Sequence, residues 1–599
     1  MASTENLRPS QSPAEHHDNI STTPIAPRKL LATSFSLILV ALNISIFCVA
    51  LMNVIIPVSV PKITDEFHSI DSIGWYAAAY LVPTCAFQPH YGKLYARYSA
   101  KWTFLAALLC FEAGILVSAF CRSSNVFIFG RALAGMGAAG IYSGALYIMA
   151  LLTPPEKMPA MQSSAGVVIG IASIAAPLLG GWLIDRLNWR WCFSIIIPGP
   201  LLAGAMLFIL LKLPTVPRRR KTGFELIKMF DPLGTMLFLI GIFCLLLALQ
   251  WAGISYAWFD PRVILLFIVF GICFITFIGV QLITGDNATI PKRILQQRTV
   301  AALSFFILCL FGQFACDMYF LPVYFQGVRL MSATESGVKM VAFIAALVCA
   351  VSAAGIVSSK ISQYVPFFYA STFSMAIGNG MLTTLRPETP AIWYIAHQIS
   401  VGVGTGLALQ LPVTAIQAVL PDEDLATGLA TVLFFEFLGG AVFVAAGNNI
   451  FANKLYRLTG MNFNDNGATT VVNSNNDKIK QRLYMDALRW PFRLSLILSC
   501  LSIIGVVCLE RKRIKGQSQH GHPPNNQHGP RAIGDDTELK ETPPSSTARD
   551  SGDSSCFGCS DRPICALHPP TSVEKAHHPE RDTTETTRVK DFQPRRMLE

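Results

Sequence analysis

Uninterrupted apolar runs long enough to cross a bilayer constrain this chain more than any motif in it. About fourteen follow one another, near 30–57, 73–91, 102–120, 125–151, 162–184, 191–211, 233–250, 262–284, 298–325, 335–358, 365–385, 390–420, 425–450 and 491–509. Some twenty apolar residues span hydrocarbon as a helix, because backbone N–H and C=O groups find no water there and must bond within the segment. The ten-residue alternating strands of a barrel are absent from the sequence, so the expected fold is an all-α polytopic membrane protein. Of 599 residues 52% are hydrophobic and only 14% charged, which leaves no soluble region large enough to hydrolyse a nucleotide, and no G-x-x-x-x-G-K-[ST] run occurs.

Residues 1–28 are polar and expected to be disordered, and no cleavable signal precedes the first run, which then serves as its own insertion signal. An even number of spans places both ends on one side. The short loops of that side carry Lys93, Arg97 and Lys101, then Lys212, Arg218, Arg219, Arg220 and Lys221, then Lys292, Arg293 and Arg298, and finally Arg511, Lys512 and Arg513. This basic bias marks the cytoplasm, so the net charge of +10 reads as orientation and headgroup contact rather than nucleic-acid binding. On the other side the loop 451–490, with NFNDNGATTVVNSNND, is expected to be solvated and irregular. The tail 511–599 is expected to be disordered. Its Cys556, Cys559, Cys565 and His568 form one C-x2-C without a second pair, so neither a metal nor a cofactor is expected. The remaining cysteines, such as Cys48, Cys110 and Cys244, lie singly in apolar runs and read as small buried hydrophobes.

Ionisable groups inside spans are costly and therefore informative. In FGRALAGMGAAGIYSGA, Arg131, Gly135, Ala138 and Tyr142 share one helical face, where small residues admit a neighbouring helix or a solute. Glu112 on the preceding span comes out at a similar depth and is expected to pair with Arg131, either as a fixed structural pair or as one that opens with a proton or substrate. Glu436 lies roughly 16 Å into its span, ahead of Gly439 and Gly440, and is the first choice for a titrating carboxyl. A protonated glutamate bonded to a backbone carbonyl is the alternative. Asp317 shares a face with Gln313, Phe320 and Tyr324, which would offer a cavity hydrogen bonds and a π surface. Gln313, Phe320 and Tyr324, with Tyr142, Gln410 and Phe435, make up the expected substrate cavity, and Asp317 joins Glu436, Glu112 and Arg131 as a candidate for proton coupling. On the fifth run Gly166, Gly170, Ser173, Pro177 and Gly181 recur at helical spacing, a nearly bare face with a bend-permitting proline.

Several stretches together resemble the major facilitator superfamily, most closely its fourteen-span drug:proton antiporter branch of fungal toxin and multidrug efflux pumps. They are ALMNVIIPVSVPKITDEF, GKLYARYSAKWTF after the second run with Gly92, Arg97 and Lys101, then Arg131, Gly135 and Gly137, and APLLGG with Pro177, Gly180 and Gly181. WRWCF, LALQWAG, YFLPVYFQ and FFEFLGGA follow in order. The resemblance implies two six-helix bundles, 29–211 and 298–510, rocking about a central cavity, with a linker 212–297 that holds an inserted pair of helices. It implies export of small, largely apolar organic molecules against inward proton flow, by a monomer in the plasma membrane or a vacuolar or vesicular one.

Three departures from the family pattern stand out. Met52 replaces the family's acid on the first helix, Val54 its threonine, and Ala96 its aspartate four residues after Gly92. Coupling then falls to Glu436, Asp317 or the Glu112 and Arg131 pair. Related pumps often have glutamine where Glu436 stands, so the acid would alternatively select cationic substrates. Two rival readings are an uncoupled uniporter or importer of a metabolite or siderophore, and a non-transporting sensor that uses the long tail.

Overall fold

In the computed structural model the described residues are 32–68, 73–212, 231–459 and 477–511. The expectations for 1–28, for the basic residues 218–221 and 512–513, for the middle of the 451–490 loop, and for the tail with Cys556, Cys559, Cys565 and His568 lie outside them. Among the described residues the regular structure is helical, and twelve helices are long and apolar enough to cross a membrane. Two of the expected spans fall outside that count because they are more polar, Ile73–Arg97 with 25 residues and Val365–Thr383 with 19. At 1.5 Å per residue they still reach ~37 and ~28 Å.

The first expected run divides. Helix α1 (Ala32–Val54) stops at Ile55, and α2 (Ile56–Phe67) carries on past the point where a span was expected to end. Pro57 has no N–H to return to the last turn of α1, which permits the break. Next come α3 (Ile73–Arg97), α4 (Ala100–Ala119), α5 (Ser124–Leu152), α6 (Met158–Arg186), the short α7 (Trp191–Ser194) and α8 (Pro198–Leu210). The inserted pair is α9 (Pro232–Trp251) and α10 (Pro261–Thr284), each opened by an aspartate cap and a first-turn proline, Asp231 for α9 and Asp260 for α10. A short α11 (Lys292–Leu295) leads into α12 (Arg298–Val323).

The second set continues with α13 (Ala333–Lys339), which a Ser332–Glu335 capping box starts, then α14 (Val341–Ile361), α15 (Val365–Thr383) and α16 (Ala391–Ala408). It closes with α17 (Leu411–Val419), α18 (Asp422–Thr459) and α19 (Asp477–Val507). The 451–490 stretch is thus helical at both ends, against expectation. In its second part Met485, Ala487 and Leu488 are buried on α19, an amphipathic face that the surrounding charges masked.

Packing repeats between the two sets. In the first, α1 contacts α6 and α8, and α5 contacts α3 and α4; in the second, α12 contacts α18 and α19, and α16 contacts α14 and α15. The sets meet along α3 with α18 and along α6 with α14, two seams that correspond under the same repeat. Helix α9 packs on α10 and against both α3 and α18, so the insert flanks one seam. His90 Nε2 lies 2.7 Å from Thr235 Oγ1, Lys93 Nζ donates to the Asn287 carbonyl at 2.8 Å, and Asn449 donates to the Leu249 and Ala252 carbonyls at 2.8 and 2.7 Å.

Candidate functional site

Arg131 is fully buried on α5, and its partners are not acids. Nη1 donates to the Met52 carbonyl at 2.9 Å and Nε to the Tyr76 carbonyl at 3.1 Å, while the guanidinium carbon lies 4.6 Å from the centroid of the Tyr80 ring. Met52 belongs to the last turn of α1, where unsatisfied carbonyls and the helix dipole present negative potential. The break after α1 therefore supplies part of what a carboxylate would have supplied. Tyr80 is held by its hydroxyl, which donates to the Val49 carbonyl at 3.1 Å.

The expected Glu112–Arg131 pair is not formed, and Glu112 makes no hydrogen bond through either carboxyl oxygen. Depth was matched, but azimuth was not. On α4 and α5 the facing residues are Phe111 with Gly137 and Gly114 with Ala134, so tightly that a methyl at Gly137 would strike the Phe111 backbone. Glu112 stands about 130° and Arg131 about 90° from the middle of that contact line. Arg131 turns toward α3 and α1. Gly135, on the same face, abuts the Tyr80 carbonyl as expected of a residue that admits a close neighbour.

Tyr142, two turns beyond Gly135, reaches the second set. Its hydroxyl donates to Glu436 Oε1 at 3.4 Å and accepts from Gln410 Nε2 at 3.5 Å, and all three residues are buried. Each comes from a different element: α5, the interruption between α16 and α17, and α18. The interruption falls inside a segment of 29 residues that is otherwise of spanning character. Pro412 at the start of α17 cannot continue the ladder, and Gln410 sits at the gap. Gly166 of α6 leaves room for the Gln410 side chain, 3.2 Å from where its own Cβ would stand. Discontinuous membrane helices place polar backbone and side chains at depth, where a solute can meet them.

Phe437 closes this cluster, with its ring 5.7 Å from Tyr142 in an edge-to-face arrangement and 6.0 Å from Phe311. Phe437 and Phe311 were missed in the sequence, where an all-apolar helix gives no azimuthal signal. Phe435, expected here, is half-buried and meets Phe434 edge-to-face at 5.2 Å, and the Phe434 ring in turn meets Phe238 of the insert at 5.1 Å.

Gln313, Asp317, Phe320 and Tyr324 do not join Tyr142 and Gln410. Their face of α12 turns into the second set. The Gln313 side-chain amide lies 3.0 Å from Thr405 Oγ1, Phe320 packs on Phe451 at 6.0 Å, and the Tyr324 hydroxyl donates to the Arg386 carbonyl at 3.1 Å. Helical spacing shows which residues share a face; it does not show which neighbour that face meets. Asn379 on α15 donates to Gln313 Oε1 at 2.8 Å and to Ser499 on α19 at 2.9 Å, completing a buried polar group that the sequence did not single out.

The conformational motifs distribute along the seams. Gly92 of α3 abuts Ala426 and Ala430 of α18, and Gly170 of α6 abuts Val348 of α14. Pro177 lies near Gly337, the Gly180 carbonyl accepts from Cys192 Sγ at 3.7 Å, and Gly181 meets nothing within 4 Å. The small-residue stripe on α6 therefore meets the second set from Gly166 to Pro177 and leaves it by Gly181. Lys101 Nζ donates to the Phe208 carbonyl at 2.5 Å within the first set, and Arg97 Nη1 has no hydrogen-bond partner. Outside the spans, Glu66 on α2 takes Trp189 Nε1 at 2.6 Å and Arg190 at 2.8 Å. Arg190's hydrogen bond holds the Glu66 carboxyl below its ordinary value. At Asp231 burial works upward, but hydrogen bonds from the Gly234 amide, Gln281 and Thr289 outweigh it and hold that carboxyl low.

Comparisons with known proteins agree on one family. The model described as Major Facilitator Superfamily matches residues 42–444. The efflux pump aflT of Aspergillus parasiticus is 40% identical over 492 residues, covering 80% of this chain and 96% of that one. The MFS-type efflux pump MFS1 of Trichophyton rubrum is 41% identical over 495 residues, covering 80% and 92%. A solved structure of the proton:xylose symporter XylE superposes with a TM-score of 0.50 at 13% identity, over 79% of this chain and 95% of that one.

Proposed function

The chain belongs to the major facilitator superfamily, with its fold of two six-helix bundles and an inserted helix pair, and we propose from this premise that it exports small, largely apolar organic compounds by proton-driven alternating access. It is a multi-span membrane transporter and not an enzyme. Relatives named as efflux pumps favour export over uptake, and the cargo we propose is a toxin, secondary metabolite or drug. The proposed division of the chain is a bundle over 29–211, an inserted linker over 212–297 and a bundle over 298–510, in the plasma membrane.

The observation that carries the reading is the Tyr142–Glu436–Gln410 cluster, contributed by both helix sets at their meeting. Parting the sets would pull Tyr142 from Glu436 and Gln410, and would open between them a surface of one carboxyl, one amide and aromatic rings. Such a surface binds flat apolar solutes, with a preference for those bearing a cation. The 3.4 and 3.5 Å bonds are long and easily exchanged for bonds to a ligand. Glu436 and Asp317 are the two carboxyls of the second set that would carry the proton. Reconstituted protein loaded with a fluorescent lipophilic dye should move it when a pH gradient is imposed. Retention of full pH-driven flux by both Glu436→Gln and Asp317→Asn would end the coupling scheme.

A further inference from the structure

Resting on the proton-coupled reading, we propose that Asp317 is the group that takes up the coupling proton and that the side-chain amide of Gln313 reads its state.

Asp317 is fully buried on α12, and Oδ1 has no hydrogen-bond partner. Among the described residues no ion pair reaches it; its surroundings are the Gln313 and Asn379 amides and the Ser495 hydroxyl. The titratable and charged groups of the adjoining elements are engaged elsewhere or stand apart. On α12 Cys316 Sγ donates to the Phe443 carbonyl, and on α18 Glu436 turns to Tyr142. On α19 Asp486 pairs with Arg489, and Arg493 lies over Trp490. His397 on α16, two turns before Thr405, is buried and turns to the backbone of Trp393 and Tyr394 in its own helix. A carboxylate so placed lacks a countercharge, and a proton supplies one.

The Gln313 amide can be set in two ways, and each suits one state of the acid. Its edge facing Asp317 lies 2.8 Å from Oδ2. With a proton on Oδ2, Asp317 donates to Gln313 Oε1. That oxygen also accepts from Asn379 Nδ2 at 2.8 Å, and Gln313 Nε2 donates to Thr405 Oγ1 at 3.0 Å. Without the proton two acceptors would face each other, so the amide turns over. Its nitrogen then donates to Oδ2 and its oxygen accepts from Thr405. The turned amide sets its nitrogen against Asn379 Nδ2 at the same 2.8 Å, so Asn379 must turn or withdraw as well. Asn379 also holds Ser499 on α19 at 2.9 Å.

Gain or loss of one proton thus re-sorts hydrogen bonds linking α12, α15, α16 and α19. Thr405 lies on α16 shortly before the interruption that presents Gln410 to the seam. No covalent bond beyond the carboxyl O–H forms or breaks; the proton comes from and returns to water.

The test uses the full chain in proteoliposomes, as wild type, Asp317→Asn, Gln313→Leu and Glu436→Gln. Infrared difference spectra between acid and alkaline pH should show a protonated-carboxyl band in the wild type. The band should be missing in Asp317→Asn, shifted in Gln313→Leu and kept in Glu436→Gln. In the same vesicles Asp317→Asn should keep rhodamine 6G counterflow within about twofold and lose pH-driven accumulation by tenfold or more. An Asp317→Asn spectrum that retains every protonated-carboxyl band of the wild type, pH-driven accumulation that survives the substitution, or a wild-type drive that follows sodium and ignores pH would overturn the proposal. If the wild type shows no counterflow of any dye while the Asp317 band behaves as described, the transport reading fails and the proton site stands.

Discussion

Glu436 and Asp317 are both buried carboxyls in spanning helices of the second set, and their surroundings differ in kind. Glu436 faces across a seam and shares one long hydrogen bond with a residue of the other set. Asp317 faces inward, among amides and hydroxyls of its own set. A group at a seam meets whatever enters when the halves part. One enclosed in a bundle can meet only what passes through that bundle, which suits a proton and excludes an organic molecule.

The largest expected effect comes at the seam. Glu436→Gln should lower efflux of a cationic dye about tenfold or more, a change of about 1.4 kcal/mol or above, and neutral dyes should suffer much less. Equal losses for neutral and cationic dyes would erase the contrast drawn between the two acids. Asp231, whose carboxyl is fully met by donors, calibrates the cost of losing a satisfied acid. Asp231→Ala should destabilise the insert by about 1–3 kcal/mol in chemical denaturation followed by a reporter on α9. Because the folded carboxyl titrates below its unfolded value, that contribution should be complete above the unfolded pKa. It should fade as pH falls through the lower folded one. A contribution that grew on acidification would contradict the assigned donors.

Tyr142→Phe should cost about two- to fivefold in apparent dye affinity with little change in maximal rate, since each bond it removes is long. For Asp317→Asn, the unfolding free energy should change by about 1 kcal/mol or less, because an amide fills the same volume without an uncompensated charge. A loss of several kcal/mol would mean that the ionised acid is a structural keystone. Smallest of all, Glu66→Gln on the exposed outer rim should change stability by about 1 kcal/mol at most, with the wild-type advantage disappearing as pH falls below the depressed Glu66 value.

Much of this was legible in the chain. Run lengths gave the helices and their order, and Arg131, Gly135 and Tyr142 were rightly placed on one face because helical period alone decides that. What failed did so for one reason, visible in two cases. Glu112 and Arg131 share a depth, and the α12 residues share a face, yet direction about the helix axis depends on neighbours that no local pattern names. The interruption at Gln410 was also hidden, inside an apolar run that reads as continuous.

By itself the sequence determined that the chain lives in lipid, because hydrocarbon accepts only helices of a certain length. It also determined that each ionisable group within them must answer to something. Which something was settled by the packing of distant segments. The broken end of α1 meets Arg131, the opposite set supplies Glu436 with Tyr142, and two amides and a hydroxyl surround Asp317. Partners of this kind lie tens to hundreds of residues apart, and only the assembled bundles bring them within hydrogen-bond reach.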